Sequence, residues 1–257
     1  MKQYIVDAFT DRLFSGNPAA VCITDRFPDE RMMQDIAAEN NLSETVFAVA
    51  ENGRYHLRWF TPEKEIDFCG HATLAAAFII FSRYEQEADT LVFYGQTGEY
   101  EISRTEELIS MAFPAYKSEH TEITGSMIEA LGTIPLAAYK DRDIMFVLRD
   151  EQEVRDLQPD MALLSKLDGA CIAVTARGSR YDCVSRVFAP GYGIAEDPVT
   201  GSTHCMIAPY WFRRLGKNRI TAFQASGRTG VLECEVSGEK VIISGQAVLF
   251  SEAEINI

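Results

Sequence analysis

Apolar positions in this chain fall into short runs with the period of a strand and two long runs that are apolar on almost every side. The short runs come first. Residues 4–9 and 19–24 predict two strands, with a loop at 11–18 that ends in Gly16-Asn17-Pro18. Residues 45–50 and 55–60 predict a hairpin turning on Asn52-Gly53. Residues 90–94, 100–104 and 108–113 predict three further strands. Between the second strand and the hairpin, residues 29–40 carry Met32, Met33, Ile36 and Ala37 at helical spacing. That stretch follows Pro28 and opens with acids, as an amphipathic helix does.

The two long runs have another character. Cys69-Gly70-His71-Ala72-Thr73 leads into Leu74-Ala75-Ala76-Ala77-Phe78-Ile79-Ile80-Phe81. A helix apolar on every face must be buried almost all round. Thr200-Gly201-Ser202-Thr203-His204-Cys205-Met206-Ile207-Ala208 repeats the device, with Pro209 predicted to kink it. The first N–H groups of such helices have no partner within the helix, and an anion suits them. Gly70, His71 and Ala72, with Gly201, Ser202 and Thr203, are therefore expected to form two half-sites for one anionic ligand.

The chain is self-similar. Phe47-Ala48-Val49, Arg54-Tyr55 and Arg58-Trp59-Phe60-Thr61-Pro62 resemble Ile172-Ala173-Val174, Arg180-Tyr181 and Arg186-Val187-Phe188-Ala189-Pro190. Each block leads to a glycine-led helix and then to a strand with a glycine turn. The offset is about 125 to 131 residues, near half the chain, which points to duplication. Connections look too short for repeated βαβ crossovers. The expected architecture is α+β, each half a mainly antiparallel, barrel-like sheet around a central apolar helix. The halves are expected at 1–115 and 116–257, the last strand around 247–250 being able to return to the first.

Composition narrows the function. The 257 residues are 47% apolar, enough for a full core. The net charge of −14 argues against a nucleic-acid partner, whose phosphates need a basic face. Six cysteines with no C-x-x-C pair and four scattered histidines argue against a zinc site. The amino terminus lacks a signal-like apolar segment, and no run nears the ~18 apolar residues of a spanning helix. These features predict a soluble cytoplasmic protein with free thiols.

Four side chains are candidates for chemistry. Glu44 has no counterpart in the second half, where the corresponding place is read as Asp168-Gly169-Ala170. It is a proton shuttle, a helix cap or a solvated loop acid. His71 opens the first buried helix, whose dipole predicts a neutral imidazole. Asp197 precedes Gly201 as an acid in the site or one that favours the dipole. Cys69 is either a thiol activated by the helix N-terminus or a small buried hydrophobe. Ser202 can cap its helix or bind a substrate oxygen.

Taken in order, Asp7-Ala8-Phe9-Thr10, Gly16-Asn17-Pro18-Ala19-Ala20-Val21, Asn41-Leu42-Ser43-Glu44, Phe60-Thr61-Pro62, Gly70-His71 and Asp197-Pro198-Val199-Thr200-Gly201-Ser202 resemble the PhzF-like phenazine-biosynthesis family. The resemblance spans nearly the whole chain. It implies the diaminopimelate-epimerase fold, two pseudo-symmetric halves with the active site in the cleft. It also implies an isomerase without a cofactor, usually a homodimer, acting on a small carboxylate-bearing substrate. By motif the catalytic glutamate falls on Glu44, supported by His71, Asp197 and Ser202. Racemases of this fold use a cysteine from each half. Phe68-Cys69-Gly70-His71 resembles the first such motif, but Pro198 stands about where the second cysteine would be. A racemase using Cys69 and a non-catalytic binder of small anions are the alternatives.

Overall fold

The computed structural model describes residues 1–257. The chain forms two compact units, Met1–Ala112 with Ser244–Ile257, and Phe113–Ile243. In order the elements are β1 (Lys2–Ala8), β2 (Asn17–Ile23), α1 (Glu30–Asn40), β3 (Glu44–Glu51), β4 (Arg54–Phe60), β5 (Glu65–Ile66), α2 (Gly70–Arg83), β6 (Thr90–Gly95), β7 (Gly98–Thr105) and β8 (Leu108–Pro114). Then come β9 (Glu119–Thr121), α3 (Gly125–Leu131), β10 (Ala137–Lys140), β11 (Ile144–Val147), α4 (Glu151–Asp156), α5 (Met161–Leu164), β12 (Ile172–Arg177) and β13 (Cys183–Ala189). The chain ends with β14 (Ile194–Asp197), α6 (Gly201–Leu215), β15 (Arg219–Gln224), β16 (Gly230–Ser237), β17 (Lys240–Gly245) and β18 (Ala247–Glu254). Strand β18 pairs antiparallel with β1, which brings the carboxyl terminus into the first unit.

The two units repeat one pairing scheme. In the first, β1 is antiparallel to β2, β2 parallel to β3, β3 antiparallel to β4, β4 parallel to β6, and β6 antiparallel to β7. In the second, β10, β11, β12, β13, β15 and β16 follow the same sequence of directions. The fold is thus α+β, largely antiparallel, but the expectation of connections too short for crossovers is corrected. Each unit has two parallel crossovers through helices: β2–α1–β3 and β4–α2–β6, then β11–α4–α5–β12 and β13–α6–β15. An eleven-residue helix such as α1 suffices for the dozen or so residues a crossover needs.

The pairing also corrects the register of the internal repeat. Thr45 lies opposite Phe60, and Ile172 opposite Phe188. Thr45 therefore corresponds to Ile172, two residues from the alignment read in the sequence, and the place of Glu44 is taken by Cys171 rather than Asp168 to Ala170. A shift of two leaves every side chain on its own face, so apolar patterning does not detect it.

Both central helices are buried. In α2 every residue from His71 to Phe81 except Phe78 is buried, and the helix packs on β1, β2, β3 and β18. In α6 the buried run is Thr203 to Phe212, against β15 and β16. Pro209 lies inside α6 without ending it. It deprives the Cys205 carbonyl of its helical donor, and the Tyr116 N–H fills that place at 3.0 Å. Capping separates these helices from the others. Asp29, Thr124, Asp150 and Asp160 cap α1, α3, α4 and α5 with their side chains. Cys69 and Thr200, the N-cap residues of α2 and α6, make no side-chain cap. Ser202 does not cap α6 either.

Candidate active site

In the first unit three segments bring polar side chains to the start of α2. Gly16, at φ +69°, lets the chain turn where a side chain would strike the Ala8 carbonyl, and so delivers Asn17 to the head of β2. Glu44 is the first residue of β3, parallel to β2 and level with Ala19. Cys69 and His71 flank Gly70 at the helix start. All four side chains are buried, Glu44 at 7% exposure and His71 at 6%. A loop acid solvated at the surface is thereby excluded, and Glu44 caps no helix.

The contacts centre on the imidazole. Glu44 Oε2 lies 3.0 Å from His71 Nε2. The pair is in ionic contact but off the line of a hydrogen bond, so neither buried atom has an aligned partner. On the other side of the ring, His71 Nδ1 is 3.1 Å from Asn17 Nδ2 and 3.3 Å from Cys69 Sγ. The expectation of a neutral His71 is corrected. Burial pushes its pKa down, but contact with the Cys69 sulfur and the Glu44 carboxylate holds it well above the ordinary value. An imidazolium carries hydrogen on both nitrogens, so Nδ1–H is a donor to the Cys69 sulfur or to the Asn17 amide oxygen turned toward the ring.

Cys69 is also settled. Burial and the Glu44 charge raise its pKa, and the pull of His71 and of the Ala72 N–H does not reverse that. The helix N-terminus does not make it a thiolate at neutral pH, because desolvation outweighs a dipole that acts in its favour. At that pH Glu44 is the charge that pairs with His71.

In the second unit the start of α6 gathers the remaining candidates. Asp197 ends β14 and accepts a hydrogen bond from the Thr200 hydroxyl. Its carbonyl accepts from Gln224 Nε2 at 2.7 Å and from Ser226 Oγ at 3.2 Å. Ser202 Oγ accepts from the Arg142 guanidinium at 3.1 Å. The Thr203 hydroxyl is donated to Asp143 Oδ2 at 2.9 Å and the residue is wholly buried, which leaves only its backbone N–H for a ligand. Gly201 and Ala72 offer only their backbones.

Arg142 and Asp143 escape a reading of the sequence. Asp143 is fully buried and accepts from Arg142 through two nitrogens at 3.0 Å each, from the Cys171 N–H at 3.2 Å and from Thr203. Asn17 lies within a motif but nothing there marks it as a partner of His71. A buried Asx residue at the head of a strand, beside a glycine with positive φ, is the one local signal.

Comparison with known proteins fits this arrangement. A sequence profile of the family described as phenazine biosynthesis-like protein (PhzC-PhzF) matches residues 6–253. The chain belongs to this family. A relative of this phenazine biosynthesis-like chain in Pseudomonas aeruginosa, named an uncharacterized isomerase, is 46% identical over 98% of this chain and 97% of its own. The crystal structure of a PhzF-family protein from Enterococcus faecalis is 47% identical, covers 100% of this chain and 99% of its own, and superposes with a TM-score of 0.98. A protein of Pseudomonas aeruginosa described as a predicted epimerase shares the fold, with a TM-score of 0.74 at 19% identity over 99% of this chain and 98% of its own. As a PhzF-family member the chain is an isomerase. No helix in it is long and apolar enough to cross a membrane.

Proposed function

We propose that Glu44 is the general acid/base of a cofactor-independent isomerase that moves a proton within a small carboxylate-bearing metabolite. The observation that carries this is the Glu44 carboxylate itself, buried, with an oxygen that has no aligned hydrogen-bond partner. A buried carboxylate whose lone pairs are not all engaged is a base waiting for a proton. In the reaction, Glu44 takes a proton from one carbon of the substrate and returns it to another on the same face. The His71 imidazolium, 3.0 Å away, balances the carboxylate and donates to negative charge that develops on the substrate.

The uncapped start of α2 supplies the remaining electrostatics. The N–H groups of Gly70, His71 and Ala72 are read as donors to a substrate carboxylate. The start of α6, with Gly201 and Ser202, is read the same way, and Asp197 as an acid of the reaction. Thr203 enters this reading only through its backbone N–H, its hydroxyl being held by Asp143. A racemase with Cys69 as a base lacks support, since that thiol is neutral at ordinary pH and Pro198 offers no partner.

A test can be run before the substrate is identified. The protein is incubated in deuterated water with a library of small carboxylic acids and analysed by mass spectrometry. Wild type is expected to add one deuterium to its substrate, and Glu44→Gln to add none at comparable times. Label incorporated equally by both proteins refutes the assignment.

A further inference from the structure

Glu44, Cys69 and His71 each present one donor atom, an oxygen, a sulfur and a nitrogen, and the three atoms lie within 4.8 Å of one another. No other group of three histidine, cysteine or acidic side chains in the chain is gathered in this way. We propose that this cluster is a binding site for a thiophilic divalent cation of the Zn²⁺ class, held by Cys69 Sγ, His71 Nε2 and Glu44 Oε2.

The donor set selects the ion. Thiolate, imidazole and carboxylate together suit Zn²⁺ and its neighbours, whereas Mg²⁺ and Ca²⁺ take oxygen ligands and leave sulfur unused. The spacing is close to what such an ion needs. Two ligands at ~2.0–2.1 Å in tetrahedral geometry lie roughly 3.3 Å apart. Nε2 and Oε2 are already 3.0 Å apart. Cys69 Sγ lies 3.3 Å from Nδ1 of the same ring, within the cluster whose three donor atoms are no more than 4.8 Å apart.

The surroundings fit as well. Glu44 Oε2 and His71 Nε2 are buried without aligned hydrogen-bond partners, which is costly, and an ion between them engages both. Asn17 holds the ring from the Nδ1 side at 3.1 Å, the place where histidines that bind metals are steadied by an outer partner. The α2 N-terminus opposes a cation with about half a positive charge, and the two anionic ligands outweigh it. Glu44 begins a strand, Cys69 is the N-cap of α2 and His71 its second residue, so the donors sit on rigid elements. With three protein ligands the fourth position is left to water. Binding releases protons to solvent: the metal–sulfur bond replaces the thiol hydrogen, and the metal–nitrogen bond replaces the Nε2 hydrogen of the imidazolium. A consequence rests on the reading of Glu44 above. A carboxylate engaged by the metal cannot take a proton from the substrate, so occupancy switches the reaction off.

The test uses the metals alone, on the full chain without an affinity tag. Co²⁺ is added while the near-ultraviolet spectrum is recorded, and Zn²⁺ and Mg²⁺ are titrated by calorimetry. Wild type is expected to bind about one Co²⁺ with a thiolate-to-metal charge-transfer band, to lose the band to Zn²⁺ and to ignore Mg²⁺. Cys69→Ser should abolish the band and weaken Zn²⁺ on the order of 100-fold. Glu44→Gln, which retains the sulfur, should keep the band and weaken Zn²⁺ about tenfold. Absence of the band in wild type, its persistence in Cys69→Ser, or unchanged Zn²⁺ affinity in Glu44→Gln each overturns the proposal. None of these readings depends on turnover, so they stand apart from the deuterium test.

Discussion

The starts of α2 and α6 occupy the same place in a repeated scaffold, and they treat a buried carboxylate in opposite ways. Near α6, Asp143 is saturated: a guanidinium, a backbone N–H and a threonine hydroxyl all donate to it. Near α2, Glu44 faces one imidazole off the hydrogen-bond line. The histidines differ likewise. The pKa of His71 is held up by the carboxylate beside it, while His204, fully buried, donates Nδ1–H to the Thr200 carbonyl at 2.7 Å and has its pKa pushed down to about 4 by burial. Duplication supplied one frame twice. One copy has closed the buried Asp143 carboxylate into structure, and the other keeps a buried Glu44 oxygen without an aligned hydrogen-bond partner.

Breaking the saturated copy has the largest expected effect on stability. Asp143→Ala strips partners from the buried Cys171 N–H and Thr203 hydroxyl and leaves Arg142 uncompensated. Arg142 is nearly half exposed, which softens its part, so the cost is about 3–4 kcal/mol. Urea denaturation checks it, and a loss below about 1 kcal/mol contradicts the comparison.

The two histidines then set opposite slopes of stability against pH. His204 has a folded pKa below its unfolded one near 6.5, so its contribution is present above that value and is lost as pH falls toward 4. The loss is about 3 kcal/mol. His71 has a raised folded pKa, so its contribution is present below 6.5 and is lost as pH rises through the folded value. His204→Gln should flatten the fall between pH 6.5 and 4. His71→Gln should flatten the decline above 6.5. Identical profiles for wild type and both variants refute the assignment of charge.

Glu44→Gln sharpens the contrast from the other side. Turnover should drop ~100-fold or more, about 2.7 kcal/mol in the barrier. Stability should fall by about 1–2 kcal/mol, less than for Asp143→Ala, because the imidazole can shed its proton once the carboxylate is gone. The His71 pKa, followed by NMR, should fall once the carboxylate is gone. Unfolding of this variant would make Glu44 structural, like Asp143. The smallest effect belongs to Cys69→Ser, which should stay within about twofold of wild-type turnover because a neutral thiol has no base to lose. Its complete inactivation would restore the racemase.

Much of this was legible in the residues, and the division is physical. Period-two runs mark the hairpin at Asn52-Gly53, where φ values of 52° and 77° suit Asn and Gly. All-round apolarity marks α2 and α6 as buried, and Glu44, His71 and Asp197 stand out by motif. These are local properties, carried by a few consecutive residues. The short elements β9, α3, α4 and α5 lack enough turns for a period to register.

What only the tertiary structure decided depends on groups far apart in sequence. The charge of His71 is a contest between a local dipole and a carboxylate 27 positions away, and the carboxylate wins by proximity in a buried place. Burial first, and the same carboxylate second, keep Cys69 a thiol. Register within the repeat was decided by strand pairing, because a slip of two preserves the apolar pattern. The sequence by itself determined which helices are central and which residues are candidates for chemistry. Pairing and burial decided which carboxylate is closed off and which keeps an oxygen without an aligned hydrogen-bond partner.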